Sequence, residues 1–399
     1  MKKLIYWTLF LVVLAACSKD KFEGIELSTG NDIQFSSEKQ TIRIGIRSSS
    51  DWVISNSTSW CDPSKISSPE GDTLVLSAKV NTSTDQRSGT ITLANSDHKI
   101  NLNITQNGEH YFELPVIFHV LYTNASDSKQ NIPGDSIRKY MNYVNAFYRN
   151  DNGKSQNLNL EFTLATTDPE GNPMTEPGIH RVQQSLITYN IEDYLNNKHN
   201  GTELIWNPNN YINIIICTFM EKNVTGISVL PYTPQGKPLP GLSRHDAYYT
   251  SLPTNSVQAI MINNMTISEK DIGPESWQPI GPLTIAHELG HYLGLFHVFS
   301  GGDNGQLTDY CEDTPDYDRT EYEKMYKVLW EQRVSREGVR FTSTNIMDYY
   351  VGYRDRFTSD QRARIRHVLD YSPLIPGPKI TVRSSSRAVP ITEEPKISR

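Results

Sequence analysis

The sequence is poor in cysteine. Four in 399 residues, Cys17, Cys61, Cys217 and Cys311, are too few for a disulfide framework, and none stands in the CxxC spacing of a thiolate zinc site. Any metal must be held by histidines and carboxylates. Positive charge is not in excess either: the net charge is −7 with both signs interspersed, which excludes a concentrated basic face for nucleic acid. No apolar run is long enough to cross a bilayer. The longest, Leu4 to Leu14, would rise about 16 Å as a helix against a hydrocarbon core of about 30 Å. Disorder over most of the length is excluded by a hydrophobic content of 37% against 21% charged. What the sequence does have is length, and 399 residues predict two or more domains.

Lys2 and Lys3 precede the apolar run, and Ala15, Ala16 and Cys17 follow it, the pattern of a cleaved signal over residues 1–16. Leu14-Ala15-Ala16-Cys17 resembles the lipobox of bacterial lipoproteins. That resemblance implies acylation at Cys17 and a membrane partner, since each buried CH₂ of a lipid adds about 0.8 kcal/mol. An ordinary secretory signal is the alternative. Residues 17–23 then form the lipidated cysteine and linker. Asp20 and Glu23 resemble the charged export stretch of surface-exposed Bacteroidetes lipoproteins, which implies the bacterial outer membrane or cell surface, with a periplasm-facing anchor as the variant.

Over residues 24–108 the dominant period is two. Ile42, Ile44 and Ile46 alternate with Arg43 and Arg47, and Ile100, Leu102 and Ile104 alternate with asparagines, which predicts an all-β, antiparallel immunoglobulin-like sandwich. Trp52, Trp60, Asn81, Arg87, Gly89 and the closing Ile104 to Gly108 resemble the BACON domain, a module associated with carbohydrate binding. The two tryptophans suit either sugar stacking or core packing, and core is the preferred reading; the domain is then a spacer. Cys61 is either a latency thiolate for a metal or a buried sandwich residue, the latter preferred.

From residue 109 the pattern changes. Leu114 to Tyr122, Leu158 to Thr166, Tyr211 to Phe219 and Val257 to Asn263 read as strands. Between the first two, Asp135 is expected to cap a helix that aligns Ile137, Tyr140, Met141, Val144, Phe147 and Tyr148. Residues 109–373 are the predicted second domain, mixing helix and sheet. Pro, Ser, Arg, Lys and Glu dominate residues 374–399, which predicts a disordered tail.

The decisive stretch is Thr284 to His297, which fits HExxHxxGxxH. His287 and His291 lie one helical turn apart, so both imidazoles can reach one ion. Glu288 stands beside that ion rather than on it. A continuous helix would carry His297 too far along the axis. Gly294 can take a left-handed conformation, end the helix and bring His297 back. Three neutral imidazoles leave one position for water, the mark of a catalytic zinc. Zinc brings the water's pKa towards 7, and Glu288 can accept its proton and return one to a leaving amine. A decorative histidine pair and a structural metal are the alternatives.

The motif resembles that of the metzincins. Gly281 to Thr284, Gly301-Gly302-Asp303, Cys311 to Pro315 and Asn345-Ile346-Met347-Asp348-Tyr349 resemble the pappalysin (cytophagalysin) family, from about Tyr111 to Tyr371. The resemblance implies an α+β, zincin-like catalytic domain with a Met-turn at Met347 beneath the histidines. It also implies that Tyr349 assists the oxyanion, and that calcium binds near Asp313 and Thr314, in an acidic stretch with Asp303, Asp309, Glu312 and Asp316. A solvated acidic loop is the alternative to calcium. The family's partner cysteine for Cys311 is missing after the Met-turn. Residues 318–344 look helical and inserted.

The expected protein is multidomain: a secreted, lipid-anchored zinc endopeptidase acting on proteins or peptides, behind a β-sandwich that spaces or binds glycans. The rivals are a glycan- or glycoprotein-binding surface lipoprotein whose metallo-domain does not cleave, and a hydrolase of non-peptide amides. Glu288, which a pure binder does not need, favours the peptidase.

Overall fold

The computed structural model describes residues 22–55, 58–69, 71–245, 256–267, 280–301, 306–325, 332–349, 353–380 and 396–398. The expected signal, the expected anchor residue Cys17 and Asp303 lie outside them. Among the described residues no helix is long and apolar enough to cross a membrane. The chain divides into two compact units, residues 1–110 and 111–399.

The first unit is a sandwich. One sheet orders Ile25–Leu27, Gln40–Ser48, Asp72–Ala78 and Cys61–Pro63, and the other Asp32–Phe35, Lys99–Gln106, Arg87–Ala94, Trp52–Ser55 and Ser67–Ser68. One pairing departs from the antiparallel expectation: Asp32–Phe35 runs parallel to Asn103–Gln106. Alternation sends Ile44, Ile46, Leu74, Leu76, Leu102 and Ile104 inward to a shared core. Trp52 and Trp60 belong to that core, so neither is a surface platform for sugar. Cys61 is buried there too, and burial pushes its thiol up to about 11.

The second unit is built on a seven-stranded sheet. Its long strand Phe112–Tyr122 pairs in parallel with Leu160–Leu164 and then Ile179–Gln183 on one edge, and with Ile212–Cys217 on the other. All six residues of Ile212–Cys217 are buried, as a β-branched run covered on both faces requires. Ile260–Asn263 continues the sheet in parallel, Gly226–Val229 joins it antiparallel, and Ile397–Ser398 lies antiparallel on the outer edge.

Helices Gly134–Arg149 and Ile280–Tyr292 pack closely, with the Tyr148 hydroxyl donating to the Ala286 carbonyl at 2.9 Å. Gly281 permits this approach, because a Cβ there would stand 2.3 Å from the Tyr140 ring. The first of these helices buries Ile137, Tyr140, Met141, Val144 and Tyr148 as its periodicity predicts. Its cap differs from expectation. Pro133 is the N-cap, and Asp135 sits within the first turn, where its charge suits the helix dipole and meets Arg138 at 2.5 Å.

Two further expectations are corrected. Residues 318–344 are not one helical insert: a short helix, Arg319–Met325, precedes an antiparallel hairpin of Gln332–Val334 and Arg340–Thr342, turned by Gly338 at φ 81°, while 326–331 lie outside the described residues. Nor is 374–399 loose throughout. Leu374 and Ile375 are buried, Lys379 donates to the Leu369 carbonyl at 2.7 Å, and Ile397–Ser398 is a strand. Two apolar residues and an unfilled sheet edge outweigh the polar composition of this stretch; 381–395 lie outside the described residues.

Candidate metal centre

The helix Ile280–Tyr292 is buried along almost its whole length, so its polar residues must find partners or a ligand. It ends where the spacing predicts. Gly294 has φ 90°, its N–H donates to the His291 carbonyl, and the Leu295 N–H donates to the Gly290 carbonyl, both at 2.9 Å. This is a Schellman cap, and it returns the chain so that His297 faces the two helical histidines.

The three Nε2 atoms lie 3.1, 3.1 and 3.2 Å from one another. Four-coordinate zinc at 2.0–2.1 Å from each nitrogen requires separations of roughly 3.3 Å, so the set fits the ion. The tautomers fit as well. Nδ1 of His287 donates to the Ile346 carbonyl and Nδ1 of His291 to the Leu295 carbonyl, each at 2.8 Å, which turns the Nε2 lone pairs inward. Burial first, and then mutual repulsion, holds His287 and His297 well below the ordinary histidine range; burial lowers His291 to about 4. All three imidazoles are therefore neutral ligands near pH 7. Among the described residues this is the single cluster of three or more His, Cys, Asp or Glu with metal-ligating spacing.

Glu288 is 2% exposed, and its Oε2 has no hydrogen-bond partner. Burial alone holds its carboxyl well above the ordinary range. It faces a cavity of about 380 Å³ lined also by Thr225, Gly226, Thr284, His287 and Tyr349. The Tyr349 ring centroid stands 4.6 Å from that of His297 and 5.4 Å from that of His287. Met347 is fully buried against the zinc helix: a Cβ on Gly290 would be 2.5 Å from its sulfur. The turn that carries Met347 is pinned by Asp348, which accepts from the Tyr317 hydroxyl at 2.5 Å, the Tyr349 N–H at 2.6 Å and the Ser343 hydroxyl.

Residues 194–370 match the model of the pregnancy-associated plasma protein-A peptidase family, and residues 50–107 match that of the BACON domain. The first stretch is thus similar to a metallopeptidase domain and the second to a BACON domain. Tannerella forsythia mature mirolysin, solved with a cleaved peptide, is 26% identical over 66% of this chain and 93% of its own, with a TM-score of 0.48. A shorter stretch of 32 residues is 59% identical to Extracellular metalloprotease 1 of Coccidioides posadasii (strain C735), covering 8% of this chain and 11% of that protein.

Within the peptidase domain the predicted histidines, Glu288, Gly294, Met347 and Tyr349 come together. Asp313 and Thr314 are not part of this cluster. Thr314 donates to Asp309 Oδ2 at 2.6 Å, and Asp313 accepts from the Asp360 N–H at 3.0 Å while Asp360 accepts from the Glu312 N–H at 2.8 Å. These carboxylates brace a turn against the start of helix Ser359–Tyr371, and calcium finds no support among the described residues. Cys61, Cys217 and Cys311 are free thiols.

Several neighbours of the site were not singled out from sequence: Gly226, Arg319, Arg354 and Ser398. They come from separate segments, and only Gly226 carries a local signal, as a glycine within a strand.

Proposed function

We propose that this chain is a zinc-dependent endopeptidase of proteins or peptides, held at a bacterial outer membrane or cell surface by lipid on Cys17. The observation that carries the catalytic part is the buried Glu288 carboxylate, lacking a hydrogen-bond partner at Oε2 beside three converging Nε2 atoms. A structural metal site has no use for such a group.

Zinc, when bound, supplies Lewis acidity that activates water and polarises the scissile carbonyl. His287, His291 and His297 would hold it. Glu288, as the carboxylate, takes a proton from the attacking water and delivers it to the departing amine. Tyr349, beside His287 and His297, is placed to hydrogen-bond the carbonyl oxygen as charge develops. Met347 packs beneath the helix and keeps the ligands at a fixed height.

The sandwich is proposed as a spacer between anchor and enzyme, since Trp52 and Trp60 are spent on its core; a glycan array on residues 24–108 tests that. For the peptidase, purified protein is incubated with denatured protein and peptide libraries, with and without chelator, beside Glu288→Ala. Chelator-sensitive cleavage that disappears in the variant is expected. Equal cleavage by Glu288→Ala would remove the mechanism. Globomycin-sensitive processing and mass spectrometry of the mature N-terminus test the lipid at Cys17.

A further inference from the structure

The cavity beside Glu288 is cationic as well as catalytic. Arg319 and Arg354 both line it, and Glu288 is the one carboxylate in its lining among the described residues. Arg354 is tied by Nη1 to the carbonyl of Asp348, which fixes it to the turn beneath the histidines. Arg319 lies with its guanidinium 4.8 Å from the Tyr349 ring centroid, and its Nε binds Glu323 at 2.7 Å; Glu323 is outside the lining. Thr225 and Thr284 line the cavity too.

We propose that this cavity selects an acidic side chain, aspartate or glutamate, at the substrate residue next to the scissile bond, with Arg319 and Arg354 as the specificity-determining residues. The inference rests on the peptidase reading. A guanidinium matches a carboxylate in both geometry and charge. A lysine or arginine side chain entering the same space meets two like charges and no partner except the carboxylate reserved for chemistry, so the cavity also selects against bases.

The test uses the full chain as zinc-loaded Glu288→Ala, titrated calorimetrically with peptides that differ only in carrying Glu, Gln or Lys at the central position. Binding in the order Glu, Gln, Lys is expected, with Glu favoured over Lys by about tenfold or more, and with the margin reduced in Arg354→Gln and Arg319→Gln. Equal binding of Lys and Glu, or a margin that the arginine variants leave unchanged, overturns the inference. Cleavage-site mapping with the wild type separates this from the broader reading. Acid-selective binding without any cleavage removes the peptidase alone, whereas cleavage with no acidic residue flanking the cut removes the selectivity alone.

The edge of the sheet nearest the histidines is occupied by the chain itself. Ser398 pairs with Ser228 and Ile397 with Val229, and the Leu230 N–H donates to the Lys396 carbonyl at 2.7 Å. Lys396 Nζ donates to the Gly241 carbonyl at 2.7 Å, and Ile397 packs on the core. Ser398 is buried, its hydroxyl oxygen 3.3 Å from His291 Nε2. We infer that residues 396–398 are a built-in occupant of this edge, a strand that a peptide must displace to reach the histidines by β-addition.

Hydrogen exchange at the Leu230 amide, followed in the metal-free protein, reads this occupancy directly. Removal of residues 396–399, or Ile397→Pro in the full chain, is expected to speed exchange there at least tenfold, and a synthetic peptide of residues 394–399 added in trans is expected to restore protection. Unchanged exchange in both variants overturns the inference.

Discussion

Arg364 donates from Nε and Nη2 to the carbonyl oxygen of Gly294, at 3.2 and 3.0 Å. Gly294 is where the zinc helix ends and the chain turns towards His297, so a guanidinium from the last helix holds the corner on which the third ligand depends. Nη2 reaches the Pro240 carbonyl as well, at 3.0 Å, and the guanidinium carbon lies 5.4 Å from the Phe296 ring centroid. Arg364→Ala leaves a buried carbonyl without these donors, a loss of about 1–3 kcal/mol. It is expected to lower the urea midpoint and to weaken zinc binding in a chelator competition. Zinc affinity equal to that of the wild type would show that the corner holds without Arg364.

Gly226 touches the chemistry without taking part in it. A Cβ at this position would stand 2.7 Å from Glu288 Oε1 and 2.7 Å from its Cγ, both on a side chain enclosed by protein. Gly226→Ala is therefore expected to push the Glu288 carboxylate from its position. Hydrolysis should fall at least tenfold, while zinc affinity, which Glu288 does not supply, changes little. Parallel loss of zinc and activity would mean that the substitution disturbs the helix itself.

The residues read from sequence are those whose geometry a short stretch of chain dictates. His287, Glu288 and His291 share one helix, and Gly294 returns His297 within six residues of His291, so spacing alone predicts the cluster. Strands such as Ile212–Cys217 announce themselves by continuous β-branched residues, though their order in the sheet does not follow from that. Arg319, Arg354 and Ser398 reach the site by long-range folding, and their local sequence says nothing of a shared cavity or edge. Asp135 does not cap its helix because the helix already begins at Gly134, after Pro133, whose side chain makes no capping bond, and this leaves Asp135 in the first turn. The acidic stretch looked like a cation site, yet its carboxylates bind backbone and hydroxyl donors.

Metal removal should be visible in stability. The three histidines are each 5% exposed or less, so the native state presents a formed and desolvated site that the unfolded chain lacks. A ligand at 1,000 times its dissociation constant stabilises by about 4 kcal/mol. Calorimetric scans at pH 7 are expected to show a higher Tm with excess zinc than with chelator, and His291→Ala should erase that difference. A zinc-dependent increment surviving in His291→Ala would place the ion elsewhere.

Acid sensitivity should arise away from the metal as well. His119 is fully buried on the strand Phe112–Tyr122, with Nε2 3.0 Å from Asn213 Oδ1 and Nδ1 3.0 Å from His180 Nδ1; the Trp206 ring also faces it, at 6.0 Å. Burial lowers it to about 3, His180 acts in the same direction, and the Asn213 hydrogen bond opposes them. In the unfolded chain its imidazole titrates near 6.5. Above that pH neither state is protonated and this histidine adds no slope. Between about 6.5 and 3 the unfolded state holds the extra proton, so stability falls as the pH is lowered, and below about 3 the slope vanishes again. His119→Leu removes the titration while Asn213 Oδ1 still accepts from the backbone N–H of Trp206 at 2.7 Å. Urea midpoints measured from pH 7 to pH 4 in chelator are expected to fall less steeply for the variant than for the wild type, whatever their offset at pH 7. Parallel curves would mean that His119 is protonated in the folded protein, against the burial that surrounds it.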